Sequence, residues 1–342
     1  MRSDIKKISV QTRTYLIRNV KILQNANVVP ATMAIDNESQ PNTVDKHAQS
    51  NTFASSETPP AIQAAIGTDF LSQPIACPSL LISVRSPEEI ELVCSRPVAW
   101  IDLKDPDLGP LGRPSLNSLH AFRNKLSQHQ GQCSSSETSS RFPTPATSAS
   151  NSQQRHWSVA GGELKDWDID ADQPYLEALG DSGAIKWALA HCDADPNWQT
   201  KVNELARRLP RRDQAILVHY ADHAAVNAPN WHATLQATRQ LNLKYLLIDT
   251  AIKDGRTLID YYSLPGLTDM IAGASKWGID VAIAGSIPLD SIPSLANVGA
   301  AWIGVRGAVC SGKSRSSTIS PEKLDRAVAL VHASGTTTGS NR

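Results

Sequence analysis

The chain is 342 residues long, enough for one large domain or two small ones. Its 33 Lys and Arg balance its 33 Asp and Glu. That argues against nucleic acid or an anionic membrane surface as the main partner, because both recruit a clustered basic excess. No stretch reaches the roughly 18 uninterrupted apolar residues of a membrane-spanning helix.

Charges break "MRSDIKKISVQTRTYLIRNVKILQ" before any signal-peptide core can form. The stretch reads equally as a short amphipathic helix or as a start placed too far upstream. From residue 25 to about 76 the text is rich in Asn, Gln, Ser, Thr, Ala and Pro without periodicity, and "SQHQGQCSSSETSSRFPTPATSASNSQQR" (127–155) is of the same kind. Neither buries enough apolar surface to offset its ordering entropy. The expected organisation is a disordered extension over 1–76, a folded domain over 77–335 interrupted by a flexible insertion at 127–155, and a disordered end over 336–342. Five cysteines (Cys77, Cys94, Cys133, Cys192, Cys310) are odd in number, widely spaced and without a CxxC pair. They suit reduced thiols of a cytoplasmic protein better than a disulfide framework or a zinc site.

From residue 79 short apolar runs alternate with helix-like segments. The runs lie at 80–84, 98–103, 156–161, 184–189, 215–220, 245–249, 280–285 and 301–306. "SPEEIELVCS" (86–95) carries a Ser cap, a Pro at the first helical position and two early glutamates. "GLTDMIAGASKWG" (266–278) places Leu267, Met270, Ile271 and Ala274 at helical spacing and closes on glycine. Eight strand–helix units over about 255 residues predict an α/β fold, a (β/α)8 TIM barrel. A doubly wound open sheet is the alternative, weakened because no GxGxxG follows the first strand.

In such barrels chemistry sits at the carboxyl ends of the strands. Strand 2 ends "IDLKDP", and a side-chain period of two points Asp102 and Lys104 into the same mouth. Strand 4 carries Lys186 inside "AIKWAL"; strand 6 ends "DTAIKDG", with Asp249 and Lys253. Gly285 and Ser286 after strand 7, and Arg306 and Gly307 after strand 8, occupy the positions where phosphate-binding barrels present backbone N–H groups. Taken singly, Asp249 and Lys253 read as well as a plain ion pair, and Cys310 as a packed thiol. His219 and His223, four apart beside strand 5, are badly placed for chelation, so no metal is expected. Taken together, three lysines and two aspartates converge on one cavity. A lysine in an enclosed, partly apolar site next to another cation has a lowered pKa and can attack a carbonyl as the free amine. The pattern suggests Schiff-base chemistry on a phosphorylated aldehyde or ketone.

At these residues the chain resembles the (5-formylfuran-3-yl)methyl phosphate synthases, also named 4-(hydroxymethyl)-2-furancarboxaldehyde-phosphate synthases. The resemblance rests on "WIDLKDPDLGPLGRP", "HYAD", "DTAIKDGRTL", "AGS" and "GVRGAVC" in order and spacing, over nearly all of residues 80–330. It implies condensation of two glyceraldehyde 3-phosphate molecules to a phosphorylated furan aldehyde, with loss of phosphate and water, for methanofuran-type one-carbon carriers. It implies no metal or organic cofactor and a small-molecule substrate. By the resemblance Lys104 forms the Schiff base, Lys186 accepts or donates protons, and Asp102, Asp249 and Lys253 complete the site. One departure is Trp187-Ala188 after Lys186, where family members usually have Val-Gly-Leu; its bulk is expected to reshape the pocket. The rival readings are another Schiff-base aldolase of sugar phosphates, and an inactive barrel serving as a binding scaffold. Whether the barrel acts alone or as a homo-oligomer is left open by the sequence.

Overall fold

The computed structural model describes residues 78–133, 156–312 and 314–336. The expected N-terminal extension with its candidate amphipathic helix, residues 134–155 of the expected insertion, and residues 337–342 lie outside the described residues. Among the described residues eight parallel strands close into a barrel in sequence order, with β1 paired to both β2 and β8. They are β1 (Ser79–Val84), β2 (Trp100–Leu103), β3 (His156–Glu163), β4 (Gly183–Ala188), β5 (Ala215–Tyr220), β6 (Tyr245–Asp249), β7 (Asp280–Ile283) and β8 (Trp302–Val305).

Helices fill the connections: α1 (Pro87–Cys94), α2 (Leu116–Cys133), α3 (Gln173–Glu177), α4 (Trp198–Arg207), α5 (Trp231–Gln240), α6 (Leu258–Tyr261), α7 (Leu264–Ser275), α8 (Ile292–Leu295) and α9 (Pro321–Thr336). Their starts are written locally. The Asn230 side chain accepts from the Ala233 amide at 2.9 Å, and the Ser263 hydroxyl accepts from the Gly266 amide at 3.2 Å. Each satisfies an N–H that a helix start leaves without a partner. Residues 127–133, expected to be flexible, are instead the last two turns of α2. Leu119, Phe122 and Leu126 bury the face of α2 that precedes them, and the polar run simply continues that helix.

Alternation along the strands separates two cores. On β4, Ile185 and Trp187 face outward into the layer between sheet and helices, while Ala184 and Ala188 face the barrel interior. The expectation that Trp187 reshapes the pocket is therefore corrected. Its ring is fully buried on the outer side, edge-on to Trp167 at 5.7 Å between centroids. Lys186, one residue earlier, takes the inward position. The amino-terminal end of the barrel is plugged by rings from the first residues of four strands. Trp100 stacks on His156 at 5.2 Å and meets Trp302 at 4.8 Å and Tyr245 at 5.6 Å. The open space lies at the carboxyl ends.

Glu89 does more than suit a helix start. Its carboxylate is buried against the guanidinium of Arg306 at the end of β8, at 2.6 and 3.1 Å, and also accepts from the Arg85 amide at 2.8 Å. Removing one partner of such a pair leaves an uncompensated buried charge, at a cost of about 3–5 kcal/mol. Glu89→Ala should therefore lower Tm by on the order of 10 °C for a domain of this size. A shift within two degrees or so would show that the pair contributes little.

Candidate active site

At the carboxyl ends of the strands lies a cavity of ≈ 540 Å³. The five residues expected to carry chemistry (Asp102, Lys104, Lys186, Asp249, Lys253) all line it, and so do Gly285, Ser286, Arg306 and Gly307. The three lysines share the cavity but differ in state.

Lys186 is 3% exposed and makes an ion pair with Asp102, which is 0% exposed. Asp102 is fixed from the other side by the hydroxyls of Ser83 and Ser158, which donate at 3.0 and 2.8 Å. Trp100 donates in turn to the Ser158 oxygen at 2.9 Å. The chain runs from the aromatic floor to the reactive end of the barrel and satisfies a carboxylate that could not otherwise remain buried. Lys253 donates to Asp249 at 3.0 Å, to the Thr250 carbonyl at 2.7 Å and to the Thr250 hydroxyl at 2.9 Å. Three acceptors use all three N–H bonds of an ammonium group. Burial alone would raise the Asp249 carboxyl, but Lys253 and Lys104, with the Thr250 amide at 2.7 Å, hold it below the usual carboxylate range.

Lys104 follows β2 directly, its amide bonded to the Val84 carbonyl at 2.9 Å. Among the described residues its ammonium has no hydrogen-bond or ion-pair partner, and it is lowered to about 8. The dominant cause is burial. Asp249 and Asp102 oppose it, while Lys253 and Lys186 add the smallest contributions. Of the two causes expected from the sequence, an enclosed apolar setting and neighbouring cations, the first is the larger.

The folded protein binds fewer protons than the unfolded chain between about pH 8 and the unperturbed lysine value of about 10.4. Stability should rise with pH through that window, and below it the charged amine is a standing cost. Lys104→Met should stabilise the fold at pH 7 by about 3 kcal/mol, measured by denaturant unfolding. A less stable Met variant would contradict the desolvation argument.

The loops after β7 and β8 both reach the cavity. Gly285 (φ +109°) and Ser286 (φ +51°) are both in the left-handed region, and their amides have no acceptor among the described residues. A Cβ at Gly285 would stand 3.1 Å from the Thr250 methyl, so the turn requires glycine. Ser286 adopts a conformation that is uncommon outside glycine, at the rim of the cavity. The guanidinium of Arg306 has no donor left for a phosphate. Its five N–H bonds go to Glu89 twice, to the Ser83 carbonyl at 2.9 Å, to the Arg315 carbonyl at 2.9 Å and to the Ser317 carbonyl at 3.2 Å. Its guanidinium braces the loop while the residue lines the cavity.

Other placements match or extend the sequence reading. Cys310 is buried, its thiol pushed up by burial. His219 faces the helix layer, with Nε2 2.8 Å from the Tyr262 hydroxyl, and Asp222 accepts from the Ala251 and Ile252 amides at 2.7 Å each. Among the described residues no group of three or more His, Cys, Asp or Glu side chains could hold a metal ion. Sequence reasoning missed Glu163 at the end of β3, which accepts from the Tyr220 hydroxyl at 2.9 Å and the Ala190 amide at 2.8 Å, tying β3, β4 and β5 together at their carboxyl ends. It also missed Arg315, which lines the cavity from the loop after β8.

A closed parallel barrel with lysines and carboxylates converging at the carboxyl ends of its strands defines a (β/α)8 enzyme. The chain belongs to the 4-HFC-P synthase family, whose model matches residues 80–328. It is 38% identical over 100 residues to the (5-formylfuran-3-yl)methyl phosphate synthase of Methanocaldococcus jannaschii, covering 29% of this chain and 43% of that protein. It is 36% identical over 96 residues to the protein of the same name from Methanococcus maripaludis, covering 28% and 41%. With the one from Methanosarcina mazei it shares 28% identity over 134 residues, covering 39% and 57%. The chain thus spans about half the length of the curated relatives it matches. Among solved structures, 3-hexulose-6-phosphate synthase from Salmonella typhimurium is similar at TM-score 0.46 and 11% identity, covering 75% of this chain and 99% of that one. No described helix is long and apolar enough to cross a membrane.

Proposed function

We propose that the protein condenses two molecules of glyceraldehyde 3-phosphate through a Schiff base on Lys104 to a phosphorylated furan aldehyde, releasing phosphate and water. The observation that carries this reading is the difference among the three cavity lysines. Lys186 and Lys253 are held by carboxylates, whereas Lys104 is unpaired among the described residues and lowered to about 8. At pH 7 about a tenth of such an amine is free, against well under a thousandth at the unperturbed value. The free amine adds to the aldehyde, the carbinolamine loses water, and the resulting iminium acidifies the adjacent carbon. Lys186 moves protons at that carbon while Asp102 fixes its position; Asp249 and Lys253 serve the second carbonyl. The new carbon–carbon bond forms between the two trioses, one phosphate leaves by elimination, dehydration and ring closure to the furan each expel one water, and hydrolysis of the iminium returns the amine and the aldehyde.

The name borne by the relatives supports the furan product, and the residues use no metal or organic cofactor for these steps. The product suits methanofuran-type one-carbon carrier synthesis by a cytoplasmic enzyme acting on small molecules. Incubating the purified protein with glyceraldehyde 3-phosphate should give a furan chromophore and inorganic phosphate in equal amounts. Carbon–carbon bond formation without phosphate release would indicate a different Schiff-base aldolase. No turnover and no adduct would indicate a binding scaffold.

A further inference from the structure

The loop after β8 carries two arginines, and the one with donors to spare is not the one nearest the strand. Arg315 reaches across to the loop after β2, where Nη2 donates to the carbonyls of Pro106 and Gly109 at 2.5 and 2.7 Å. Its Nη1 is buried and has no acceptor among the described residues. No carboxylate there lies within ion-pair distance of the guanidinium, although the side chain lines the same cavity as Lys104. Its backbone is held by the buried Arg306–Glu89 pair through the 2.9 Å bond from Arg306 to the Arg315 carbonyl. The next residue is also tied down. Ser316 donates to Asp107 at 2.5 Å and accepts from Arg85 at 2.5 Å. A cation positioned this firmly beside a cavity, with one edge of its guanidinium unsatisfied, is the donor geometry that phosphate oxygens complete.

We infer that Arg315, through Nη1, is an anion donor for a phosphate of the substrate. A staple between the loops after β2 and β8 would need only Nη2, and leaves both Nη1 and the charge without a purpose. The inference deepens the reading of the site as one that takes phosphorylated trioses, since two phosphates must be accommodated and the amides at Gly285 and Ser286 form one cradle. It also accounts for Arg306, whose spent guanidinium positions the backbone that presents Arg315.

The test is a titration of inorganic phosphate into the full chain, followed by phosphorus NMR, for the wild type, Arg315→Gln and Arg315→Lys. The Gln variant should bind phosphate roughly ten- to a hundred-fold more weakly, and the Lys variant should recover part of the loss. Affinity within about twofold of the wild type in both variants would overturn the inference. A second readout separates an anion donor from a loop staple. Reductive trapping of unphosphorylated glyceraldehyde should be unchanged in Arg315→Gln, while trapping of glyceraldehyde 3-phosphate at low concentration falls by the same factor as phosphate affinity. An equal fall for both aldehydes would assign Arg315 a structural role instead. The phosphate titration does not depend on imine formation, so a failure of the Schiff-base reading would leave this test decisive.

Discussion

Lys104→Ala should abolish turnover and, with it, the covalent adduct that borohydride fixes in the presence of glyceraldehyde 3-phosphate. The expectation comes from the physical state of the residue. Lys104 is half-buried at the end of β2 and lacks a partner among the described residues, and desolvation lowers its amine to about 8 in spite of Asp249 and Asp102. Neither of the other cavity lysines can replace it, because the ammonium of Lys253 is saturated by three acceptors and that of Lys186 is paired with Asp102. The Ala variant should remain folded, since the loss of a desolvated charge does not weaken the barrel. Trapping should rise with pH in the wild type as the amine deprotonates, with a midpoint near 8. Residual turnover above about a thousandth of wild type in Lys104→Ala would show that another nucleophile is at work.

Lys186→Ala should cripple turnover by about two or more orders of magnitude, the scale of a lost general acid–base group, while the Lys104 adduct still forms. The separation of the two effects identifies the proton-transfer role. This substitution has a structural cost that must be controlled. It leaves the Asp102 carboxylate, 0% exposed, with only the Ser83 and Ser158 hydroxyls. Breaking a buried ion pair from one side costs about 3–5 kcal/mol. Adding Asp102→Asn should restore most of that stability without restoring turnover. If the double variant regains activity along with stability, Lys186 serves only to hold the strand ends together.

The fold was largely legible because strands covered on both faces read as continuous apolar runs, and glycine or polar text separates them. The lysines were legible for the same reason. Lys186 interrupts an apolar run, and Asp102 with Lys104 keeps the two-residue period of β2. The period that turns Lys186 inward also turns Trp187 outward, onto Trp167, so the two residues never compete for space. What stayed hidden depends on partners distant in sequence. The Glu89–Arg306 pair joins residues 217 positions apart, and nothing local distinguishes Arg306 as a brace or Arg315 as a residue with a spare donor. Glu163 escaped because its role is set by Tyr220, 57 positions away. The weight of desolvation over charge at Lys104 was also hidden, since the degree of enclosure is a property of the closed barrel whereas charge can be counted in the text. Residues 127–133 carry no apolar periodicity of their own and are helical because α2 extends into them.

The central claim is that Lys104 is the amine that forms the Schiff base. Its most direct test is borohydride reduction with glyceraldehyde 3-phosphate present, followed by proteolysis and peptide mass mapping. The triose-derived mass should lie on the peptide that contains Lys104, and pre-treatment with borohydride alone should leave that peptide unmodified. A mass on Lys186 or Lys253, with Lys104 unmodified, would contradict the assignment.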